Sequence, residues 1–228
     1  MYEEKIIPPK KAMPQAQDGT LRKFALRVPE VIYQCSGIIV FGKRIKSLVF
    51  STDLSIIKNV NADAIIAVYP FTPQPIITQA LLLAADIPVF AGVGGGLTKG
   101  QRVVNLAMFA EMQGATGVVL NAPTANAVVQ HVAETIDIPV VVTVARADTD
   151  FEARLQAGAN IFNVSAAAET PAIVRSIRER YPDVPIIATG GPTDESILET
   201  IRAGANAITW TPPSNGEIFR DIMAAYRD

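Results

Sequence analysis

The chain has 228 residues, of which 49% are hydrophobic and 18% are charged, and its formal net charge is −2 at pH 7. This length and composition are typical of a globular protein with a large core, in one domain or two small ones. The small negative charge provides no general attraction to nucleic acid or to an anionic membrane surface. Cys35 is the only cysteine, so an internal disulfide and a cysteine metal cluster are both excluded.

The N-terminal fifty residues differ from the rest of the chain. Residues 1–20 have lysines and prolines but no apolar run of signal-peptide length, and no segment reaches the roughly 18 uncharged apolar residues of a membrane span. We therefore expect a soluble cytoplasmic protein that enters no membrane. Residues 21–34 predict a short helix beneath the fold. Residues 36–50 predict a hairpin that turns at Gly42-Lys43 and whose second arm becomes the first repeated strand.

Two short motifs then alternate along the chain. One occurs as NADAIIAV (61–68), QGATGVVL (113–120), AGANIFNV (157–164) and AGANAITW (203–210), and the other as DIPVFAGV (86–93), DIPVVVTV (137–144) and DVPIIATG (183–190). Each opens an apolar run suited to a buried strand, and the segments between them have helical spacing. Strands are predicted at 46–50, 64–69, 88–93, 117–122, 139–145, 161–166, 185–190 and 207–211. Helices are predicted at 53–60, 74–85, 99–113, 125–136, 149–157, 170–181, 194–203 and 215–226.

Eight continuously apolar strands, each followed by a helix, indicate parallel strands covered by helices. A single closed (β/α)8 barrel, of the α/β class, fits this chain length better than an open sheet. We predict an N-terminal arm and capping helix over residues 1–35 and the barrel over residues 36–228. The pairs Thr98–Gln101 and Thr149–Glu152 have capping-box spacing and predict two helix starts.

Active sites of such barrels lie at the C-terminal ends of the strands. After the third predicted strand comes GVGGGLTKG (92–100), in which Gly94, Gly95 and Gly96 precede Lys99. Backbone N–H groups of a glycine run beside a helix N-terminus are suited to an anion. The alternative is a flexible loop with solvated cations.

A second candidate follows the seventh strand. The stretch PIIATGGPTDESILETIRAGANAITW (185–210) resembles the phosphate-binding (β/α)8 barrel superfamily, of the ribulose-phosphate-binding and aldolase types. The resemblance implies that Gly190 and Gly191 bind a phosphate together with the start of the last helix, at Ser214, Asn215 and Gly216. Pro212 and Pro213 depart from the family pattern because proline has no N–H to donate. The alternative is that the glycine pair only makes a turn.

Few ionisable side chains are available for chemistry at the strand ends. Asp53 is a candidate general base or sugar ligand, or else a helix N-cap. Tyr69 offers a phenolic hydroxyl, or else packs its ring against the loops. Arg146 is a candidate anion clamp, or else a partner of Asp148. Asn121 and Asn163 are candidate ligand-orienting amides that could equally bind water or each other.

The absence of Lys, Asp, Glu and His from the interiors of the predicted strands argues against a Schiff base and against a metal site. The sequence therefore predicts an enzyme, of isomerase, lyase or hydrolase type, acting on a small phosphorylated or carboxylated metabolite without metal or cofactor. Two alternatives remain open: an FMN-binding oxidoreductase, and a non-catalytic sensor of a phosphorylated metabolite. The expected partner is a small anionic metabolite, with a homo-oligomer as an option and no nucleic acid or membrane.

Overall fold

The computed structural model describes residues 26–227. The predicted arm over residues 1–20 and the first part of the expected helix over 21–34 lie outside this range. Ten strands are formed: β1 (Ile38–Val40), β2 (Lys43–Ile45), β3 (Ser47–Phe50), β4 (Ala64–Ala67), β5 (Val89–Gly94), β6 (Gly117–Leu120), β7 (Val140–Val144), β8 (Ile161–Val164), β9 (Ile186–Thr189) and β10 (Ala207–Trp210). Eight α-helices are formed in the same range: α1 (Leu54–Lys58), α2 (Pro75–Ala84), α3 (Gln101–Met112), α4 (Asn126–Thr135), α5 (Phe151–Gln156), α6 (Thr170–Arg180), α7 (Asp194–Arg202) and α8 (Asn215–Ala225).

The prediction of a (β/α)8 barrel is confirmed. Strands β3 to β10 form one closed, parallel barrel in chain order, and β10 pairs with β3 to complete it. Side chains alternate along each strand between the barrel interior and the helix layer. In β5, for example, Phe90 belongs to the interior cluster, whereas Val89 and Ala91 belong to the core beneath the helices. Among residues 26–227, no helix combines the length and apolar character that a membrane crossing requires.

The hairpin β1–β2 closes the N-terminal end of the barrel. Its strands pair antiparallel, and Ile38, Val40 and Ile45 are buried in the interior cluster of the barrel. Phe41 and Gly42 both have positive φ, as the tight hairpin turn requires, so the turn comes one residue before the predicted Gly42-Lys43. The prediction that its second arm becomes the first barrel strand is wrong, because β2 ends at Ile45 and β3 begins separately.

Among the described residues, the short helix predicted over residues 21–34 is formed only at Glu30–Gln34. Leu26 makes a β-bridge with Val60, and a single 3-10 helix follows at Glu30–Gln34. Ile32 and Cys35 are buried in the core beneath the helices, and burial raises the pKa of the Cys35 thiol to about 12. This segment contacts α7 on one side and the end of α1 on the other, which is where an eighth helix packs in a regular barrel. The predicted domain division at residue 35 remains a prediction.

Helix α8 is consequently displaced from its usual place. None of its residues is buried. Its large apolar side chains are exposed and follow helical spacing: Phe219, Ile222, Met223 and the adjoining Tyr226. The helix therefore carries an amphipathic face that residues 26–227 of the same chain leave uncovered.

Candidate functional site

Five neighbouring strands end in polar, uncharged side chains at the C-terminal mouth of the barrel. Val119, Val141, Ile161, Ile187 and Ala207 lie in the barrel interior. Two positions further along each strand, on the same side by alternation, come Asn121, Thr143, Asn163, Thr189 and Thr209. We call these five residues the polar layer. It offers amide and hydroxyl groups to a ligand but no charge.

Two oxygen atoms of the polar layer are buried without a hydrogen-bond partner. The amide of Asn163 donates to Thr143 Oγ1 at 3.4 Å, yet Asn163 Oδ1 accepts no hydrogen bond. Thr209 Oγ1 is also unpartnered, although the residue is 7% exposed. A buried polar atom without a partner carries a desolvation cost of about 1–3 kcal/mol, which a bound ligand or water removes. Both atoms therefore indicate that the mouth receives a polar molecule.

A cavity of about 180 Å³ opens beside the polar layer, over the ends of β4 to β6. Asn121 of the polar layer, Tyr69 and Thr98 line it. Thr98 is 4% exposed, and its Oγ1 has no hydrogen-bond partner. The predicted capping role of Thr98 is wrong, because α3 begins at Gln101 with Gly100 as its N-cap and without a side-chain cap. The hydroxyl of Thr98 thus caps no helix, and it is buried beside the cavity without a partner among residues 26–227.

The other predicted capping box is also wrong. The N-cap of α5 is Asp150, whose carboxylate accepts a hydrogen bond from the N–H of Ala153. Thr149 instead donates its hydroxyl to the carbonyl of Arg146.

The glycine loop that ends at Thr98 also presents unpaired backbone donors. The N–H of Gly95 donates to the carbonyl of Thr98 at 2.9 Å and closes the loop. Within residues 26–227, no acceptor is assigned to the N–H groups of Gly96, Leu97 and Thr98. Consecutive free N–H groups make an anion-binding concavity. The predicted anion loop therefore has donors and a cavity together.

The three glycines of this loop differ in why they are glycine. Gly94 and Gly95 have φ of +134° and +102°, and a Cβ on Gly95 would lie 1.8 Å from Thr124 Oγ1, so the fold itself requires both glycines. Gly96 has no such requirement: its φ lies outside the left-handed region, and a Cβ there would meet only Asn121 Nδ2, at 3.7 Å. A side chain at position 96 is therefore compatible with the backbone and would extend toward a residue that lines the cavity.

The fold itself explains why both residues of the pair after β9 are glycine. A Cβ on Gly190 would lie 2.8 Å from Ile197 and 2.9 Å from Ile208, so the helix packs directly on this residue. Gly191 has φ +83°, and a Cβ there would lie 2.5 Å from Ser196 Oγ. A cavity of about 360 Å³, lined in part by Gly191 and Thr209, lies beside the pair. Phosphate binding by the pair stays a prediction.

The backbone donors expected from the start of α8 are partly in use. Ser214 caps α8 and donates both its N–H and its hydroxyl to the carboxylate of Glu217, each at 2.7 Å. These hydrogen bonds lower the pKa of Glu217, so the carboxylate is charged at neutral pH. The side-chain amide of Asn215 donates to Asp53 and to Ser55. Two carboxylates thus lie where the sequence predicts an anion, and they oppose its binding.

Asp53 serves as the N-cap of α1. Its Oδ1 accepts hydrogen bonds from the N–H groups of Ser55 and Ile56 and from the hydroxyl of Ser55. The hydroxyl hydrogen bond is the largest cause of the lowered pKa of Asp53. A carboxylate with a lowered pKa is a weak general base at neutral pH. The catalytic role of Asp53 remains a prediction, whereas its alternative role as a cap is observed.

The remaining candidates lie in different surroundings. Tyr69 lines the cavity, and its hydroxyl accepts a hydrogen bond from the N–H of Gln74 at 2.8 Å. Arg146 is exposed and forms a bidentate pair with Asp148, which raises the pKa of Arg146 and lowers that of Asp148. Lys99 lines a neighbouring cavity toward α4 together with Gly95. Only Tyr69, Gly94, Gly96 and Asn121, among the predicted site residues, are brought together with Thr98 at the cavity of about 180 Å³.

Comparison with known proteins identifies the class of fold. No known protein family and no curated protein matches the chain. It is similar to 2,3-dimethylmalate lyase, a PEP mutase/isocitrate lyase superfamily member, with a TM-score of 0.63, 12% identity, and 91% of this chain and 85% of that chain covered. Phosphoenolpyruvate phosphomutase from Streptomyces platensis subsp. rosaceus is similar with a TM-score of 0.60 and 15% identity, over 86% of this chain and 83% of that chain. Phosphonopyruvate hydrolase in complex with oxalate and Mg²⁺ is similar with a TM-score of 0.57 and 14% identity, over 81% of this chain and 80% of that chain. The resemblance to aldolase-type barrels is thereby supported at the level of the fold.

The sequence predicts no cofactor, with FMN as an alternative. These comparisons contradict that prediction. The phosphonopyruvate hydrolase structure contains Mg²⁺, which is the finding against that prediction. The donor set of residues 26–227 does not fit a protein-built magnesium site. Residues 26–227 contain no group of three or more His, Cys, Asp or Glu side chains placed to hold a metal ion. Mg²⁺ prefers carboxylates, and the polar layer has none.

Proposed function

We propose that this protein is an enzyme, of the isomerase, lyase or hydrolase type, that acts on a small anionic metabolite at the C-terminal mouth of the barrel. The observation that carries the proposal is the buried, unpartnered hydroxyl of Thr98 beside the free N–H groups of Gly96 and Leu97. Proteins of similar fold are a phosphomutase, a lyase and a hydrolase, which supports the reaction types.

In this proposal the glycine loop binds the anionic group of the substrate. Backbone N–H groups and the hydroxyl of Thr98 donate to its oxygens, and the amide of Asn121 lies next to the same loop at the cavity.

Neutral donors of this kind stabilise negative charge that develops on an oxygen during reaction. Such donors are effective because they are already oriented and the mouth holds little water when a substrate fills it. The hydroxyl of Tyr69 is the titratable group that lines the cavity and can exchange a proton with the substrate. Asp53 acts in this scheme by fixing the start of α1 and holding Asn215.

The direct test is a substrate screen with the purified full chain. Phosphonopyruvate, phosphoenolpyruvate and 2,3-dimethylmalate are assayed with added Mg²⁺ and after treatment with EDTA, because one similar structure contains the metal. Turnover of a compound of this class, reduced by Thr98→Val, supports the proposal. Binding without any turnover would instead support the sensor alternative, which the uncharged polar layer favours. Absence of both binding and turnover would contradict the proposal.

We also propose that the protein forms a homo-oligomer through α8. Residues 26–227 leave the apolar face of this helix uncovered because residues 26–35 fill its usual place, and a second copy presents the same face in a symmetric contact. Light scattering should give a mass above that of one chain, and Phe219→Glu should reduce it to one chain. Leu83→Glu, on exposed α2, is the control and should leave the mass unchanged. A wild-type chain of monomeric mass would contradict this proposal.

A further inference from the structure

The cavity at the glycine loop is lined by both polar and apolar groups. We call the backbone of Gly96–Thr98 together with Asn121 its polar floor, and the side chains of Phe71 and Leu97 its apolar rim. Phe71 and Leu97 both line the cavity, and they are 73% and 85% exposed. They come from different loops, after β4 and after β5. Large apolar side chains that converge from two loops on one cavity indicate a binding surface more than scattered surface residues do.

Hydrogen bonds close both loops that carry these side chains. The hydroxyl of Tyr69 accepts from the N–H of Gln74 and closes the loop around Phe71, and Pro70 and Pro73 restrict its backbone. Gly95 and Thr98 are joined by a backbone hydrogen bond that leaves Leu97 between them. These hydrogen bonds thus define where the backbone of Phe71 and of Leu97 lies at the cavity.

We propose that the substrate is amphipathic, with an anionic head group on Gly96–Thr98 and an apolar substituent held between Phe71 and Leu97. The inference rests on the proposed function, since it extends the same site. The polar floor without an apolar rim would suit an inorganic anion equally well. The rim adds a surface that only a substituent with carbon–hydrogen groups can use, because burial of each methylene is favourable by about 0.8 kcal/mol.

A series of carboxylates of rising chain length tests this inference. Dissociation constants for acetate, butyrate and hexanoate, with inorganic phosphate as the reference anion, are measured by NMR titration on the full chain. Affinity should rise along the series, by up to about fourfold for each methylene. Phe71→Ala should flatten that rise without weakening phosphate, and Leu97→Ala should flatten it as well. Leu83→Ala, an equally exposed leucine away from the cavity, should leave it unchanged.

The outcomes separate the two proposals. One outcome would overturn the amphipathic substrate while the proposed function stands: phosphate and acetate bind, but affinity does not rise with chain length. A rise in Phe71→Ala and Leu97→Ala that is as steep as in the unmodified chain would have the same consequence. If no anion binds, the proposed function itself fails. Both substituted residues are exposed, so loss of folding is not expected to obscure the result.

Discussion

Two glycine loops lie at the mouth of the same barrel, and they are glycine-rich for different reasons. After β9, Gly190 and Gly191 are required by close packing on Ile197 and by a left-handed turn. After β5, Gly94 and Gly95 are required in the same way, but Gly96 is not. A glycine that the fold requires says little about a ligand, whereas one that the fold does not require leaves space that a ligand can use.

The two loops also differ in what surrounds their backbone donors. Near the start of α8, the N–H of Ser214 is bonded to the carboxylate of Glu217, and Asp53 lies against Asn215. Among residues 26–227, the N–H groups of Gly96 to Thr98 and those of Gly190 and Gly191 all lack an acceptor, so the two loops differ in the carboxylates that lie near the second one. We therefore expect anion binding after β5 to exceed that after β9.

The largest expected effect is that of filling the space at Gly96. Gly96→Val places two methyl groups toward the cavity and should abolish measurable phosphate binding, a loss of at least about 30-fold or ~2 kcal/mol. Gly216→Val is the matched control, since its φ also lies outside the left-handed region and its Cβ would meet only Ser214 Oγ at 4.0 Å. Calorimetric titration measures both. Loss of binding in Gly216→Val alone would reverse the comparison between the two loops.

A smaller effect is expected from removing the free hydroxyl of Thr98. Thr98→Val should weaken phosphate binding about five- to tenfold, since it removes one donor of about 1 kcal/mol. It should not lower the melting temperature, because Thr98 Oγ1 has no partner among residues 26–227.

The matched control for that change is Thr124→Val. The hydroxyl of Thr124 donates to the carbonyl of Asn121 at 2.7 Å, so its loss should cost about 1 kcal/mol of stability. In a chain of this size that corresponds to a melting temperature lower by roughly 2–4 °C. If thermal unfolding shows Thr98→Val to be as destabilised as Thr124→Val, the hydroxyl of Thr98 has a structural role and the site loses its main support.

The smallest effect is expected from neutralising Asp53. Asparagine is as good an N-cap as aspartate, so Asp53→Asn should cost only a few tenths of a kcal/mol, whereas Asp53→Ala should cost about 1 kcal/mol. The folded-state pKa of Asp53 is lowered, so its charge contributes stability above the ordinary value of about 4 that is lost as pH falls through the lowered pKa. The free energy of unfolding of Asp53→Asn should therefore fall less than that of the unmodified chain as the pH is lowered through this range. If Asp53→Asn binds phosphate more tightly than the unmodified chain, the anion binds at the start of α8, near Ser214 to Gly216, and not at the glycine loop after β5.

The sequence predicts the fold well because the fold depends on a repeated signal. Alternating motifs such as DIPVVVTV and AGANIFNV define successive strands, and a parallel barrel is the arrangement that buries all of them. Errors occur where two residues compete for one local role. Thr98 and Thr149 both have capping-box spacing, yet Gly100 and Asp150 are the N-caps.

The site is predicted only in part, because its members depend on contacts between distant segments. Alternation along the strands would have identified Thr143, Thr189 and Thr209 with Asn121 and Asn163 as one layer. The free hydroxyl of Thr98 follows from the position at which α3 begins, which spacing alone does not determine. The displacement of α8 follows from the packing of Ile32 and Cys35 beside α7, and helical periodicity does not report which segment fills that place.

The most direct test of the glycine loop as the anion site is an NMR titration of the unmodified chain with inorganic phosphate, followed at the backbone amides. Saturable shifts are expected at Gly96, Leu97 and Thr98, with much smaller changes at Gly190, Gly191 and Ser214 to Gly216. Saturable shifts confined to the second set, with the first set unmoved, would contradict this expectation.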